Sequence, residues 1–274
     1  MLWKTDRVGS FEDFVRYLKD FLPSDGRDGR LFWFRGQGDA AWKLEPSLMR
    51  MLSHSTLAAR EAAALEREAL TAFCAKAHLF LSPSLVNKIY TTPCWWAVMQ
   101  HHGAPTRLLD WSASPYVAAY FAALHNPRAD GVVWMFCRNR LKEYFSHRHG
   151  TPPDFSTTDA AAWYEDKLEE LCGNNAVAPL EFQYVTSERI AAQQGRFTMC
   201  FDVRQEHDCV IGQIGEGCEH VRRIAIPAEK KAEFLLRLRE MNITGASLFP
   251  GVDGLGQAVS EIVSVGSAAK PGIR

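Results

Sequence analysis

Residues 94–124 most restrict how this chain can fold. Two apolar stretches, Cys94-Trp-Trp-Ala-Val-Met and Tyr116-Val-Ala-Ala-Tyr-Phe-Ala-Ala-Leu, flank a dense polar segment, Gln100-His-His-Gly-Ala-Pro-Thr-Arg-Leu-Leu-Asp-Trp-Ser112. Both flanks read as helices with broad apolar faces that must be buried. Pro93 opens the first, and Gly103 with Pro105 stops it. Ser114 and Pro115 start the second, the hydroxyl as cap and the proline at the first helical position. A polar cluster held between two such helices marks a candidate pocket.

The rest of the chain mixes elements without a βαβ rhythm. Ser10 precedes an amphipathic helix carrying Phe11, Phe14, Tyr17 and Leu18 on one face. Residues 23–29 form a turn-rich break. Leu31-Phe-Trp-Phe34 reads as a short buried strand running into Arg35-Gly36. Residues 56–80, rich in Ala, Leu, Glu and Arg, read as a long helix. Strands are expected at 132–137, 182–185, 196–201 and 221–226, and helices at 159–171 and 228–241, with Gly245 past the end of the last. No G-x-G-x-x-G and no G-x-x-x-x-G-K-[ST] occurs. The fold class read here is α+β, as one compact domain over residues 1–274 with its core at about 11–262.

Composition narrows the function classes. Lys+Arg is 31 against Asp+Glu 32, a net charge of −1, which removes the main argument for a nonspecific nucleic-acid binder. The cysteines Cys74, Cys94, Cys137, Cys172, Cys200, Cys209 and Cys218 are odd in number and form no C-x-x-C, which argues against a disulfide framework or a zinc ribbon. The expectation is a cytoplasmic protein with no membrane partner, since the longest apolar run, 116–124, is far short of a span.

Four segments could carry chemistry. In Phe34-Arg35-Gly36-Gln37-Gly38-Asp39, an arginine leaving a strand offers planar donors to a phosphate or carboxylate, and Gly36 lets backbone approach a ligand. The bland alternative is a turn with Arg35 bonded to Asp39. In the central segment Arg107 and Asp110 pair with each other by default, or hold the floor of a pocket. His102 bonds a carbonyl or a ligand rather than a metal, and no metal is expected. Trp111 stacks on a ring or fills the core. The third segment, Arg189-Ile-Ala-Ala-Gln193-Gln194-Gly195, places two glutamines before a strand. The fourth, Ser247-Leu-Phe-Pro-Gly-Val-Asp253, reads as a packed terminal turn with Asp253 capping a last helix. No nucleophile motif marks Cys94 or any serine.

Together these segments resemble the FRG-domain family, named for the Phe-Arg-Gly signature that stands here at 34–36. The resemblance runs through Trp42-Lys-Leu-Glu-Pro-Ser-Leu-Met-Arg50, Trp96, the central motif, Ser114-Pro115, 189–197 and 247–255. It implies an ADP-ribosyltransferase-like fold with a split central β-sheet flanked by helices, and NAD as the substrate taken into the site.

On that resemblance Arg35 contacts the nicotinamide side of NAD or its phosphate, and Ser112 or Ser114 bonds the ribose. Trp111 or His102 fences the nicotinamide ring, and Gln193 or Gln194 takes the place usual for an acid. The implied catalytic set is Arg35, Asp110, Ser112 and Gln194. The implied binding set is Arg35, Gly36, Gln37, His102, Thr106, Arg107, Trp111, Ser114 and Gln193. The neutral glutamines leave Asp110 or Glu188 as the substitute acid. The implied activity is ADP-ribosyl transfer from NAD to an unspecified protein, nucleic acid or small molecule, or plain NAD hydrolysis, in a toxin or phage-defence setting. The alternative is a noncatalytic module that senses a nucleotide.

Overall fold

In the computed structural model, residues 3–22, 32–153, 158–182, 187–214 and 220–269 are described. A single seven-stranded sheet forms the centre: β1 (Lys4–Arg7), β2 (Phe32–Gln37), β3 (Leu108–Ser112), β4 (Gly131–Cys137), β5 (Val177–Leu180), β6 (Gly195–Cys200) and β7 (Val221–Ile226), in the order β1-β7-β4-β2-β3-β6-β5. Only β1 and β7 run parallel; every other pairing is antiparallel. The class is α+β, as the residue pattern implies. The sheet is continuous, but β2 and β3 meet at one pair, Phe34 opposite Ser112, whereas β2 and β4 pair along all six residues of β2. That narrow seam divides a four-stranded side from a three-stranded side.

Side-chain alternation explains where the core lies. On β2, Phe32 and Phe34 pack under α1 (Phe11–Phe21) and α6 (Pro115–Leu124), while Trp33 joins Trp134 and Trp111 in a separate cluster. β4 is buried along its whole length. Ser10 Oγ accepts from the Asp13 amide and Ser114 Oγ from the Val117 amide, so both expected caps form. The three-stranded side packs on α5 (Thr92–His101) and α8 (Thr158–Glu170) through Leu108, Phe197, Met199, Trp96 and Tyr164.

Several expectations shift. The long helix spans Ala59–Ala77 (α3), and an unforeseen helix follows β4 at Arg138–His149. The strand expected at 182–185 lies outside the described residues apart from Phe182, which is in no regular element, and the break at 23–29 lies outside them altogether. The helix near the C-terminal end begins as a 3-10 turn and continues as α-helix over Lys231–Glu240. Asn242, at φ 58°, makes the left-handed turn that Gly245 was expected to mark, and Gly245 opens the next short helix instead. Among the described residues no helix is long and apolar enough to cross a membrane.

Candidate functional site

A cleft of about 800 Å³ opens where the seam lies. Arg35 and Gln37 of β2, Asp110, Trp111 and Ser112 of β3, Phe121 of α6, and Gln193 line it. The size suits a drug-sized or dinucleotide ligand.

Arg35 sits near the end of β2 and reaches across the seam. Its Nη1 donates to the Asp110 carbonyl at 2.7 Å and stands 3.9 Å from Asp110 Oδ2. Asp39 is not its partner: that carboxylate accepts from the Ala41 amide and from Asn126. Burial lowers the Arg35 pKa, Asp110 opposes that shift, and the charge of Arg50 adds to it. Arg35 Nε is buried without a protein acceptor. A buried donor on a cation with no protein acceptor is a group that an anionic oxygen can satisfy.

Asp110 is oriented from below. Thr106 Oγ1 donates to Gln100 Oε1, which turns the Gln100 amide so that Nε2 donates to Asp110 Oδ1 at 2.7 Å. The Asp110 side chain stays 61% exposed, free to meet a ligand. Ser112 Oγ donates to the Gln193 carbonyl at 2.8 Å and accepts from the Ser114 amide, so its donor is already committed. Gln193 Nε2 donates to the Leu248 carbonyl. Gln37 is pinned at both ends, accepting from Trp134 Nε1 and donating to the Lys43 carbonyl.

Trp111 forms part of the floor. Its Nε1 donates to Thr198 Oγ1 at 2.8 Å, and that hydroxyl lies 2.8 Å from Nδ1 of the fully buried His207. The Thr198 hydroxyl can accept from Trp111 and still donate to or accept from His207 Nδ1, and the imidazole tautomer sets which of the two donates. Burial first, then the Arg35 charge, pushes the His207 pKa down to about 3, so the ring is neutral.

Five expected site residues do not line the cleft. Arg107 is buried and bonded through Nε to Glu66 Oε2 at 2.7 Å and through Nη1 to the Phe201 carbonyl. It does not pair with Asp110, because residues three apart on an extended segment project to opposite faces. Thr106 is fully buried beneath Gln100. His102 is the exposed residue capping α5, and its neighbour His101 lines the cleft instead. Ser114 is a helix cap, and Gln194 is an exposed turn residue at φ 49°. Gly36 does line the cleft, but its closest demand comes from α6: a Cβ there would lie 1.8 Å from the Ala118 carbonyl oxygen.

Sequence reasoning gave no site role to Trp42, Lys43, Arg50, His101 or Arg189, although it named the segments that hold them, and all five line the cleft. The available signal was the run Trp42–Arg50, two cations and an aromatic shortly after the Phe-Arg-Gly strand. Arg189 lies over the Phe249 ring at 4.8 Å, and Phe249 meets Phe121 edge-on, so the 247–255 segment packs at one end of the cleft. Cys94 is buried and its thiol is pushed up to about 11, which suits a core residue rather than a nucleophile.

Comparison with curated proteins and with solved structures finds no match. The family model for the FRG domain matches residues 30–131, a segment that holds β2, β3 and α6 and with them Arg35, Arg50, Asp110 and Phe121. Through that segment, which supplies both sides of the seam and most of the cleft, the chain is similar to the FRG-domain family.

Proposed function

We propose that this cleft binds NAD and that the chain transfers ADP-ribose from it, or hydrolyses it. One observation carries the reading: an arginine with an orphaned buried N–H stands beside an exposed, oriented carboxylate in a cleft of dinucleotide size. Cleaving the bond between ribose and nicotinamide sends the electron pair to nicotinamide, which leaves neutral, and positive charge develops on the ribose. Asp110 is the group to stabilise that charge, held by Gln100 so that it need not reorganise. Arg35 holds the phosphate next to the ribose. Ser112 and Gln193, bonded to each other, act as a fixed wall rather than as acid or base. Water or an acceptor nucleophile then attacks the ribose carbon and gives up its proton to solvent.

The test is to incubate the purified chain with NAD, with and without cell lysate, and follow nicotinamide and ADP-ribose by chromatography. Wild type releases nicotinamide and a folded Arg35→Ala variant does not. Equal release by that variant overturns the role of Arg35. A second reading, a noncatalytic nucleotide sensor, is favoured by the committed hydrogen bonds of Ser112 and Gln193. A thermal shift with NAD but no release supports it.

A further inference from the structure

The cleft carries more positive charge than its lining acids balance. Arg35, Lys43, Arg50 and Arg189 line it, against Asp110 and Glu45, in a chain whose overall charge is −1. Lys43 is paired with Glu206 outside the lining. Among the described residues Arg50 has no carboxylate partner, and its guanidinium donates to the Glu45 backbone carbonyl. Bringing Arg50 toward an arginine whose Nε is buried and unsatisfied costs free energy unless an anion joins them.

The segment that carries Arg50 toward Arg35, a loop running into the short helix Ser47–Met51, is fixed rather than loose. Gln37 Nε2 holds the Lys43 carbonyl at 2.9 Å, and the Leu48 amide donates to the Thr106 carbonyl at 3.1 Å. On the loop before that helix Trp42 keeps 48% of its surface exposed while lining the cleft. An indole half in water at the lip of a cation-lined cleft has a free face for a planar ring.

We propose that the Trp42–Arg50 side of the cleft takes the nucleoside diphosphate part of a nucleotide, with Arg35 and Arg50 sharing the diphosphate oxygens and Trp42 stacking on the base. The inference rests on the reading above in taking a nucleotide as the occupant. It adds the part of the ligand that does not react, and leaves Asp110 to face the ribose where the bond breaks. Planar guanidiniums can each offer two parallel donors to phosphate oxygens, which a lysine pair could not match.

The experiment is calorimetric titration of the whole chain with ADP and, separately, with inorganic pyrophosphate. Both bind wild type, ADP more tightly. Arg50→Ala weakens both by about tenfold, the scale of a lost charge-assisted contact. Trp42→Ala weakens ADP by about tenfold and leaves pyrophosphate unchanged, and Trp42→Phe restores ADP. Arg50 is exposed and Trp42 half exposed, so both variants fold, and melting curves recorded beside each titration verify it. Wild-type affinity for ADP in Arg50→Ala, equal loss of both ligands in Trp42→Ala, or no ADP binding by wild type overturns the assignment. NAD turnover with unaltered ADP affinity in Arg50→Ala sinks the clamp and leaves the transfer reading standing. The full binding pattern without nicotinamide release does the reverse.

Discussion

Gly36 lies directly under the backbone of α6, so that a Cβ on it would fall 1.8 Å from the Ala118 carbonyl oxygen and 2.6 Å from the Ala122 amide nitrogen. Both clashes are with backbone, which cannot rotate away. The glycine of the Phe-Arg-Gly signature therefore sets how close the helix approaches the central strand, and Arg35 emerges beside that contact. Gly36→Ala should cost at least about 3 kcal/mol or prevent folding. Urea unfolding checks this, and a variant of unchanged stability would return Gly36 to a purely ligand-facing role.

The buried pair Arg107–Glu66 makes a second, sharper prediction. Glu66 accepts from the Arg107 amide, Nε and guanidinium, and both side chains are almost wholly enclosed. Glu66→Gln leaves a buried guanidinium without its counter-charge and should cost about 3–5 kcal/mol. The double change Glu66→Met with Arg107→Leu should cost less than either charge removed singly. If Arg107→Ala instead left stability intact, Arg107 would not be the anchor between α3 and β3.

Asp110 should behave in the opposite way. Its side chain is largely exposed, so Asp110→Asn changes stability by less than about 1 kcal/mol. Nicotinamide release should fall about 100-fold, the scale of one lost electrostatic stabiliser at a reacting centre. Chromatography of the products alongside a melting curve separates the two effects. A variant that unfolds, or one that keeps full turnover, contradicts this division.

His207 predicts a pH dependence of stability. Its ordinary pKa is 6.5, and burial pushes it down to about 3 in the folded chain. The unfolded chain takes up this proton first, so the stability it contributes is complete above about 6.5 and is lost as pH falls toward 3. The slope from this one group is at most roughly 1.4 kcal/mol per pH unit. Urea midpoints at pH 7, 6 and 5 should fall more steeply for wild type than for His207→Gln. Parallel slopes would mean that the imidazole is reached by water.

Local signals made part of this fold legible. Ser10 and Ser114 announce their helices because a cap is a contact within three residues. β4 shows as an apolar run because it is buried along its whole length, and β7 shows through Val221 and Ile224–Ile226 around its two arginines. β3 was hidden: five residues containing an exposed aspartate become a strand only through their pairing with β6. Among the expected site residues, Arg35, Gly36, Gln37, Asp110, Trp111, Ser112 and Gln193 share the cleft, since they flank strand ends that meet at the seam. The misplacements come from long-range partners. Arg107 finds Glu66, which is 41 positions earlier. Helix phase brings His101 to the cleft and leaves His102 in solvent. Trp42 carried a signal only through its run to Arg50, because an exposed tryptophan and a core one look alike in a sequence.

The one-pair seam between β2 and β3 gives the cleft a mechanical meaning. With the ladder interrupted there, the two halves of the sheet behave as plates sharing a short weld at Phe34 and Ser112. Arg35 bridges them by a single bond to the Asp110 carbonyl. Any molecule held by Arg35 on one plate and Asp110 on the other becomes a rivet. Occupancy is then written into the backbone itself, as slowed hydrogen exchange of the amides on both sides of the weld, even when no bond in the ligand is broken.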